Sequence, residues 1–128
     1  MKTIKMSCSH ALIKYLTAQK ILINGKKLPL FPGAFGIYGH GNVACIGQAM
    51  EEFQDELPGY RGHHEQNMAL TGIGYARAKR RQQIFVATSS VGPGATNMVT
   101  AAAVTIFVEP GPTEEVAIKI CFLRIALA

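Results

Sequence analysis

Hydrophobic and polar positions follow helical spacing at the start of the chain and then alternate weakly, as in strands. Residues 7–19 carry apolar side chains at helical spacing, and Ser7 or Ser9 can cap the first turn, so this segment predicts an amphipathic helix. Residues 21–30 alternate around Asn24-Gly25, a pair typical of tight turns. The second segment therefore predicts a small hairpin or loop excursion.

The middle of the chain repeats one order of elements: an apolar strand, a turn and an amphipathic helix. The predicted strands are residues 34–38, 60–64 and 83–88, and the predicted helices are residues 43–53, residues 65–79 and an alanine-rich segment that ends at Ala103. This order is typical of an α/β fold, a doubly wound and mostly parallel sheet flanked by helices. In such folds the functional loops lie at the carboxyl ends of the strands.

Three local features refine this prediction. Asn42 can cap the helix that follows the first strand of the sheet. Gly72 and Gly74 lie inside a predicted helix, where each costs about 1 kcal/mol relative to alanine, so we expect another backbone to pack closely there. Residues 104–108 are predicted to form a strand, and the apolar end, residues 116–128, a strand or a helix.

Composition supports one globular domain. The 128 residues are 48% hydrophobic and 16% charged, which excludes a disordered chain, and 13 glycines indicate many tight turns. Three widely spaced cysteines favour neither a disulfide framework nor a metal knuckle, and they fit a reducing cytoplasm. No apolar segment approaches the ~20 residues of a membrane span, and lysines interrupt any export signal. We therefore expect neither membrane insertion nor export.

The net charge of +5 arises partly from a cluster of cations at the end of the third predicted helix: Arg77, Lys79, Arg80 and Arg81. Cations at the C-terminus of a helix interact favourably with the helix dipole. Because no aromatic residues interleave with the cluster, a solvated helix end is favoured over a nucleic-acid interface. We expect no nucleic-acid partner.

Few residues offer chemistry on their own. The turn 92–97, Gly-Pro-Gly-Ala-Thr-Asn, could present backbone N–H groups to an anion or could be purely structural. Glu65 begins a predicted helix, where the dipole favours a carboxylate whether or not it is catalytic. The pair His63-His64 lacks a third ligand at the spacing of a zinc site. Neither Cys45 nor Ser90 has the sequence setting of a nucleophile.

Taken together, three motifs resemble the thiamine-diphosphate-dependent enzyme superfamily, in particular the branch that contains acetolactate synthase. They are residues 35–39, similar to the loop after the first strand, residues 64–66 with 74–77, similar to the segment bearing the activating glutamate, and residues 88–97, similar to the signature glycine turn. The third match is highly specific. The resemblance covers residues 1–103 and implies the pyrimidine-binding domain of these enzymes.

Within this superfamily the sequence is most similar to hydrolases of inositol catabolism that cleave a ring carbon–carbon bond of a cyclic diketone. The similarity rests on residues 1–4 and 36–42, on the pair Arg80-Arg81, and on the lengthened turn 89–94 with the following residues 97–103. It implies that the chain derives from such a hydrolase.

The resemblance implies thiamine diphosphate as the cofactor. Glu65 would hydrogen-bond the pyrimidine nitrogen and thereby activate the cofactor. The ring would be surrounded by four further residues: Tyr38, Gly39, Thr88 and Asn97. His40 has two equally weighted interpretations. It could contact the substrate, or it could be a loop histidine that hydrogen-bonds only to backbone groups. Mg²⁺ would be held by a diphosphate-binding domain outside this sequence.

Members of the superfamily continue through a middle domain and a diphosphate-binding domain, neither of which has a counterpart here. Residues 1–103 are therefore expected to be a partial pyrimidine-binding domain, and residues 104–128 a divergent tail that fits a frameshift or an early stop. We expect half a site, inactive alone, in a homo-oligomer or with a full-length relative. A fragment of an acetolactate synthase-like enzyme and a non-catalytic assembly module are the alternatives.

Overall fold

A computed structural model of the protein describes the backbone of residues 4–39 and 41–108, and the side chains of these residues up to Val104. His40, which the sequence suggested as a substrate contact, lies outside the described residues. Residues 116–128, the apolar end of the chain that is predicted to be a strand or a helix, also lie outside the described residues.

Helix α1 opens the described chain and packs on the core. It spans Cys8–Ala18 and begins after Ser7, whose side chain accepts a hydrogen bond from the His10 backbone N–H at 3.2 Å. Ile13 and Leu16 are 2% and 6% exposed, because their helical spacing places both on the inner face. The predicted first helix is confirmed.

An antiparallel hairpin follows α1. Its strands are β1 (Lys20–Ile23) and β2 (Lys26–Pro29). Asn24 and Gly25 have φ angles of 50° and 76°, the left-handed conformation that a two-residue hairpin turn requires. The hairpin predicted around this pair is confirmed.

A three-stranded parallel sheet forms the centre of the fold. Its strands are β3 (Ala34–Gly36), β4 (Gly59–Arg61) and β5 (Val86–Ala87), in the spatial order β4-β3-β5. Phe35 of the central strand pairs with Tyr60 on one side and with Ala87 on the other. Because the first strand lies between the two later ones, the chain winds outward from β3 in both directions. The predicted α/β class is confirmed.

Helices lie on both faces of this sheet. They are a π-helical turn at Val43–Gly47 continued by α2 (Gln48–Glu52), then α3 (Glu65–Ala78) and α4 (Pro93–Val108). Alternation along β3 sends neighbouring side chains to opposite faces. Ala34 is 1% exposed and joins the core that α1 and α2 contribute to, whereas Phe35 faces α3 and α4.

All three strands of the parallel sheet are shorter than predicted, and a fourth predicted strand is helical. β5 contains only Val86–Ala87, because Gln83 and Ile84 bond to the end of the hairpin instead: the Gln83 amide donates to the Pro29 carbonyl and the Ile84 N–H to the Leu30 carbonyl. The strand predicted at residues 104–108 is wrong, since α4 continues through them. The alanines before Val104 favour a helix, and β-branched residues cost only a few tenths of a kcal/mol more per position.

The two glycines inside α3 do not serve a close backbone approach, so that prediction is wrong. A side-chain carbon placed on Gly72 would lie 3.7 Å from Phe85 Cβ, which is an ordinary contact distance. A carbon placed on Gly74 would meet nothing within 4 Å. Gly74 is exposed and helical, so its lack of a side chain only weakens the helix.

Replacing Gly74 with alanine is therefore expected to stabilise the fold by about 0.5–1 kcal/mol, because alanine loses less backbone entropy in a helix. Urea denaturation followed by circular dichroism would measure the change. A destabilised variant would mean that a neighbour occupies the space that the structure leaves open at this position.

The cationic cluster lies at the end of α3, as the sequence predicts. α3 ends at Ala78, and Arg80 and Arg81 have φ angles of 51° and 61°, which terminate the helix.

Among residues 4–39 and 41–108, no helix has both the length and the apolar character needed to cross a membrane.

Candidate functional site

The turns that follow the three parallel strands converge at one edge of the sheet. β3 leads to Gly39, β4 leads to Glu65 at the start of α3, and β5 leads to Ser90. β3 is the central strand, so the connections on its two sides diverge and leave a crevice at its carboxyl end. Ligands of open α/β sheets bind in this type of crevice.

Glu65 is the buried charged group of this edge. The residue is only 7% exposed although it stands at the first position of α3. The hydroxyl of Ser90 donates to its Oε1 at 2.6 Å, and the Ser90 backbone N–H donates to the same oxygen at 3.4 Å. A hydroxyl bond this short to a carboxylate is charge-assisted. The pair joins the turn after β4 to the turn after β5.

Gly94 makes room for this pair. It is buried in the first turn of α4, and a side-chain carbon placed there would collide with both Glu65 Oε1 and Ser90 Oγ. The carboxylate therefore lies against the N-terminus of α4, where helix N–H groups favour a negative charge. A residue larger than glycine cannot coexist with the bond between Glu65 and Ser90.

Hydrogen bonding holds Glu65 in its ionised form. The Ser90 hydroxyl makes the largest contribution and lowers the pKa of the Glu65 carboxyl; burial opposes this shift, and two backbone N–H groups and the charge of His64 add to it. The pKa of Glu65 is therefore below its ordinary value. Because the folded pKa is the lower one, Glu65 stabilises the fold above its unfolded pKa. This stabilisation disappears as the pH falls through the folded pKa.

Thr88 is a second buried polar residue near this edge. It is 8% exposed, and its Oγ1 has no hydrogen-bond partner within the part of the chain that the structure describes. Its backbone N–H donates to the Phe35 carbonyl at 2.9 Å, which fixes it at the end of β5. A buried hydroxyl without a partner costs free energy, so its presence marks a place for a further polar group.

The other residues suggested by the sequence have different surroundings. A side-chain carbon on Gly39 would lie 3.4 Å from Ser90 Cβ, so the first turn reaches the site. Asn97 is half-buried one turn after Gly94 on α4. Tyr38 turns toward α2, where its hydroxyl bonds Met50 Sδ at 3.6 Å. Burial and the nearby Glu51 carboxylate raise the pKa of Tyr38.

Asn42 has a different role from the one predicted. It makes no side-chain capping bond, because it already has helical backbone angles at the start of the π-helical turn. Its amide Nδ2 instead donates to the Ser89 carbonyl at 3.1 Å. Asn42 thus ties the turn after β3 to the turn after β5, directly before Ser90.

Side chains of α3, α4 and the sheet line a small, mostly apolar pocket that is partly open. Its lining includes Phe35, Met68, Phe85 and Met98. Its lining is mostly apolar, so it belongs to the hydrophobic layer between α3, α4 and the sheet.

His63 and His64 are both exposed. Within residues 4–39 and 41–108, no three side chains of histidine, cysteine, aspartate or glutamate come together as a metal site would require.

Ser90 and Gly94 are neighbours of Glu65 that the residue patterns alone did not single out. Ser90 was judged only as a nucleophile, and its partner lies 25 positions away in the sequence. The available signal was the serine pair directly after an apolar strand and before Gly-Pro-Gly. A hydroxyl at that place is well positioned to meet groups on a neighbouring turn.

Comparison with known proteins identifies the family of proteins in which this site occurs. The family described as "Thiamine pyrophosphate enzyme, N-terminal TPP binding domain" matches residues 33–105, a range that includes β3 and the turns bearing Glu65 and Ser90. The chain belongs to this family of thiamine pyrophosphate enzymes.

Similar proteins within the family carry a more specific name, 3D-(3,5/4)-trihydroxycyclohexane-1,2-dione hydrolase. The relative from Clostridium tetani is 47% identical over 119 residues, 88% of this chain and 18% of the relative. The relative from Geobacillus thermodenitrificans is 50% identical over 103 residues, 80% of this chain and 16% of the relative. The chain thus spans only 16–18% of the length of these relatives.

The residues present fit the pyrimidine part of this cofactor. Glu65 offers a buried carboxylate, which can lie against the first turn of α4 because Gly94 has no side chain. The unpartnered Oγ1 of Thr88 is a further polar group without a protein partner among the described residues. A heterocycle with ring nitrogens and an amino group can bond to groups of this type.

Proposed function

We propose that this chain binds the aminopyrimidine ring of thiamine diphosphate, with Glu65 sharing a proton with a ring nitrogen. The observation that carries the proposal is a carboxylate that is 7% exposed, bonded to Ser90, and located at the carboxyl edge of a doubly wound sheet. An ionised carboxylate in a sheltered site favours the protonated form of a ring nitrogen that it contacts.

Other residues of the chain would orient the ring. Gly39 and Thr88 would lie beside it, and Asn97 would contribute from α4. Tyr38 would act through its backbone, because its hydroxyl is already bonded to Met50. When bound, thiamine diphosphate supplies the electron sink that lets a carbon–carbon bond beside a carbonyl break.

The whole reaction that we propose is hydrolytic cleavage of a carbon–carbon bond in a cyclic diketone of inositol catabolism. The names of the relatives support this reaction over that of acetolactate synthase. Since the chain spans 16–18% of those relatives, the diphosphate, its Mg²⁺ and the substrate would be held largely by other segments. A full-length relative in the cytoplasm would supply them, whereas a second copy of this chain would add only another pyrimidine-binding half, and the chain alone would be inactive.

Nuclear magnetic resonance of the purified chain can detect half a site directly. Titration with thiamine diphosphate is expected to shift the resonances of Glu65, Thr88 and Ser90 in a saturable way. A dissociation constant of about 1 mM, or about −4 kcal/mol, is reasonable for a ligand held at one end only. The thiazole half of thiamine, which lacks the pyrimidine, is the matched control ligand and should leave these resonances unchanged.

The proposal fails if thiamine diphosphate causes no saturable shift, or if the thiazole half causes the same shifts. The first result would mean that the edge has no affinity for the ring. The second would mean that the edge binds some other part of the cofactor.

A further inference from the structure

We propose that Ser90 is a positioning residue: its hydroxyl and its backbone N–H hold Oε1 of Glu65, so that Oε2 is the oxygen that meets a bound aminopyrimidine. The inference deepens the proposed function and rests on it for the identity of the ligand. The orientation of the carboxylate itself rests only on the contacts within the chain.

Both donors of Ser90 converge on one oxygen. The hydroxyl lies 2.6 Å and the backbone nitrogen 3.4 Å from Oε1 of Glu65. A carboxyl oxygen that carries a proton is a weaker hydrogen-bond acceptor than the unprotonated oxygen beside it, so the short bond from Ser90 to Oε1 favours a proton on Oε2. A proton that Glu65 takes up or shares therefore belongs on Oε2.

Ser90 can direct the carboxylate because it is itself held in place. Asn42 donates to the carbonyl of Ser89, the residue directly before it, at 3.1 Å. Gly39 approaches Ser90 from the turn after β3. A side-chain carbon placed on Gly39 would lie 3.4 Å from Ser90 Cβ. The donor is thus fixed from the central strand.

Gly94 limits the conformations of Glu65 from the opposite direction. The Cα of Gly94 lies so close to Glu65 Oε1 and Ser90 Oγ that a side chain on residue 94 would collide with both atoms. A long, flexible glutamate would ordinarily lose rotamer entropy to be held in one orientation. Here the short bond to Ser90 and the packing against α4 hold it before any ligand binds, which is the preorganisation that a proton-sharing contact requires.

His64 is the titratable neighbour whose charge also acts on Glu65. It is exposed and precedes α3, so its influence is screened by solvent. The Ser90 hydroxyl, in contrast, contacts the carboxylate directly. Removing the Ser90 hydroxyl should therefore change the pKa of Glu65 more than removing the charge of His64 would.

The inference can be tested on the full chain with ¹³C-labelled glutamate side chains. The Glu65 carboxyl is titrated in the unsubstituted protein and in Ser90→Ala, Ser90→Thr and Thr96→Ala. Ser90→Ala should raise the pKa of Glu65 toward its ordinary value and weaken thiamine diphosphate binding about tenfold. Ser90→Thr, which keeps the hydroxyl, should restore both. Thr96→Ala removes a nearby exposed hydroxyl, which donates to the Gly92 carbonyl at 3.2 Å, and it should change neither.

An unchanged pKa of Glu65 in Ser90→Ala overturns the inference, even if the unsubstituted chain binds thiamine diphosphate. A raised pKa with rescue by threonine supports the positioning of the carboxylate by Ser90; if thiamine diphosphate nevertheless does not bind, the proposed function fails and the contact of Oε2 with an aminopyrimidine fails with it. Should Ser90→Ala not fold, Ser90→Cys replaces it, because a thiol is a weaker donor; an unchanged pKa there is equally contrary to the inference.

Discussion

Glu65→Gln is expected to abolish the ability of the chain to stabilise a protonated aminopyrimidine, and to weaken binding of thiamine diphosphate at least about tenfold. Glutamine keeps the size of the side chain and can still accept a hydrogen bond from Ser90. It carries no negative charge, so it cannot favour a proton on a ring nitrogen. The pKa of that nitrogen, followed by ¹⁵N resonances of the bound ligand, should rise on the unsubstituted chain and not on the variant.

The same substitution should remove one segment of the pH dependence of stability. Glu65 has a lowered pKa in the folded chain, so the unsubstituted protein should lose stability as the pH falls below the ordinary glutamate range. In Glu65→Gln this loss should be smaller. Urea denaturation at several pH values would measure the difference.

Glu56→Gln is the matched control for both measurements. Glu56 is exposed in the turn before β4, so its replacement should leave thiamine diphosphate binding unchanged and should change the free energy of unfolding by less than about 0.5 kcal/mol. Equal behaviour of the two variants would contradict the role of Glu65 as the buried carboxylate of the site.

Gly94→Ala is expected to separate Glu65 from Ser90 and to destabilise the fold by about 1–3 kcal/mol, the usual cost of overpacking. A methyl group at this position would occupy the space of Glu65 Oε1 and Ser90 Oγ. At least one of these side chains must rotate away, which breaks the 2.6 Å bond. The pKa of Glu65 should then rise, and binding of thiamine diphosphate should fall.

Gly74→Ala provides the contrast, since it makes the same chemical change in a helix where nothing lies within 4 Å of the added carbon. Urea denaturation of both variants separates the intrinsic preference of helices for alanine from the effect of the site. If Gly94→Ala were as stable as Gly74→Ala and left the pKa of Glu65 unchanged, the close packing around Gly94 would be refuted.

Much of the fold was readable from local pattern. α3 begins at Glu65 in the structure and in the sequence prediction, because a polar turn precedes helical spacing of Met68 and Ala76. The hairpin at Asn24-Gly25 follows from the residue types that its backbone angles require. Glu65 itself was assigned through resemblance, since a glutamate at a helix start is usually only favourable to the dipole.

Several of the parts that were wrong or missed depend on contacts distant in sequence, whereas the helix at residues 104–108 reflects local preference. β5 is short because Gln83 and Ile84 bond to the hairpin, an interaction that no periodicity reveals. Asn42 bonds Ser89 across the crevice instead of capping its own helix. The proposed assignments of Tyr38, Gly39, Thr88 and Asn97 to the cofactor remain predictions, as does the domain boundary at residue 103.

The bond between Glu65 and Ser90 joins residues 25 positions apart, one on α3 and one before α4. No short peptide from either segment could reproduce it, so the lowered pKa of Glu65 depends on the tertiary structure. Its carboxyl resonance is consequently a built-in reporter of cooperative unfolding: denaturant should return it to random-coil behaviour at the same midpoint as the backbone signal.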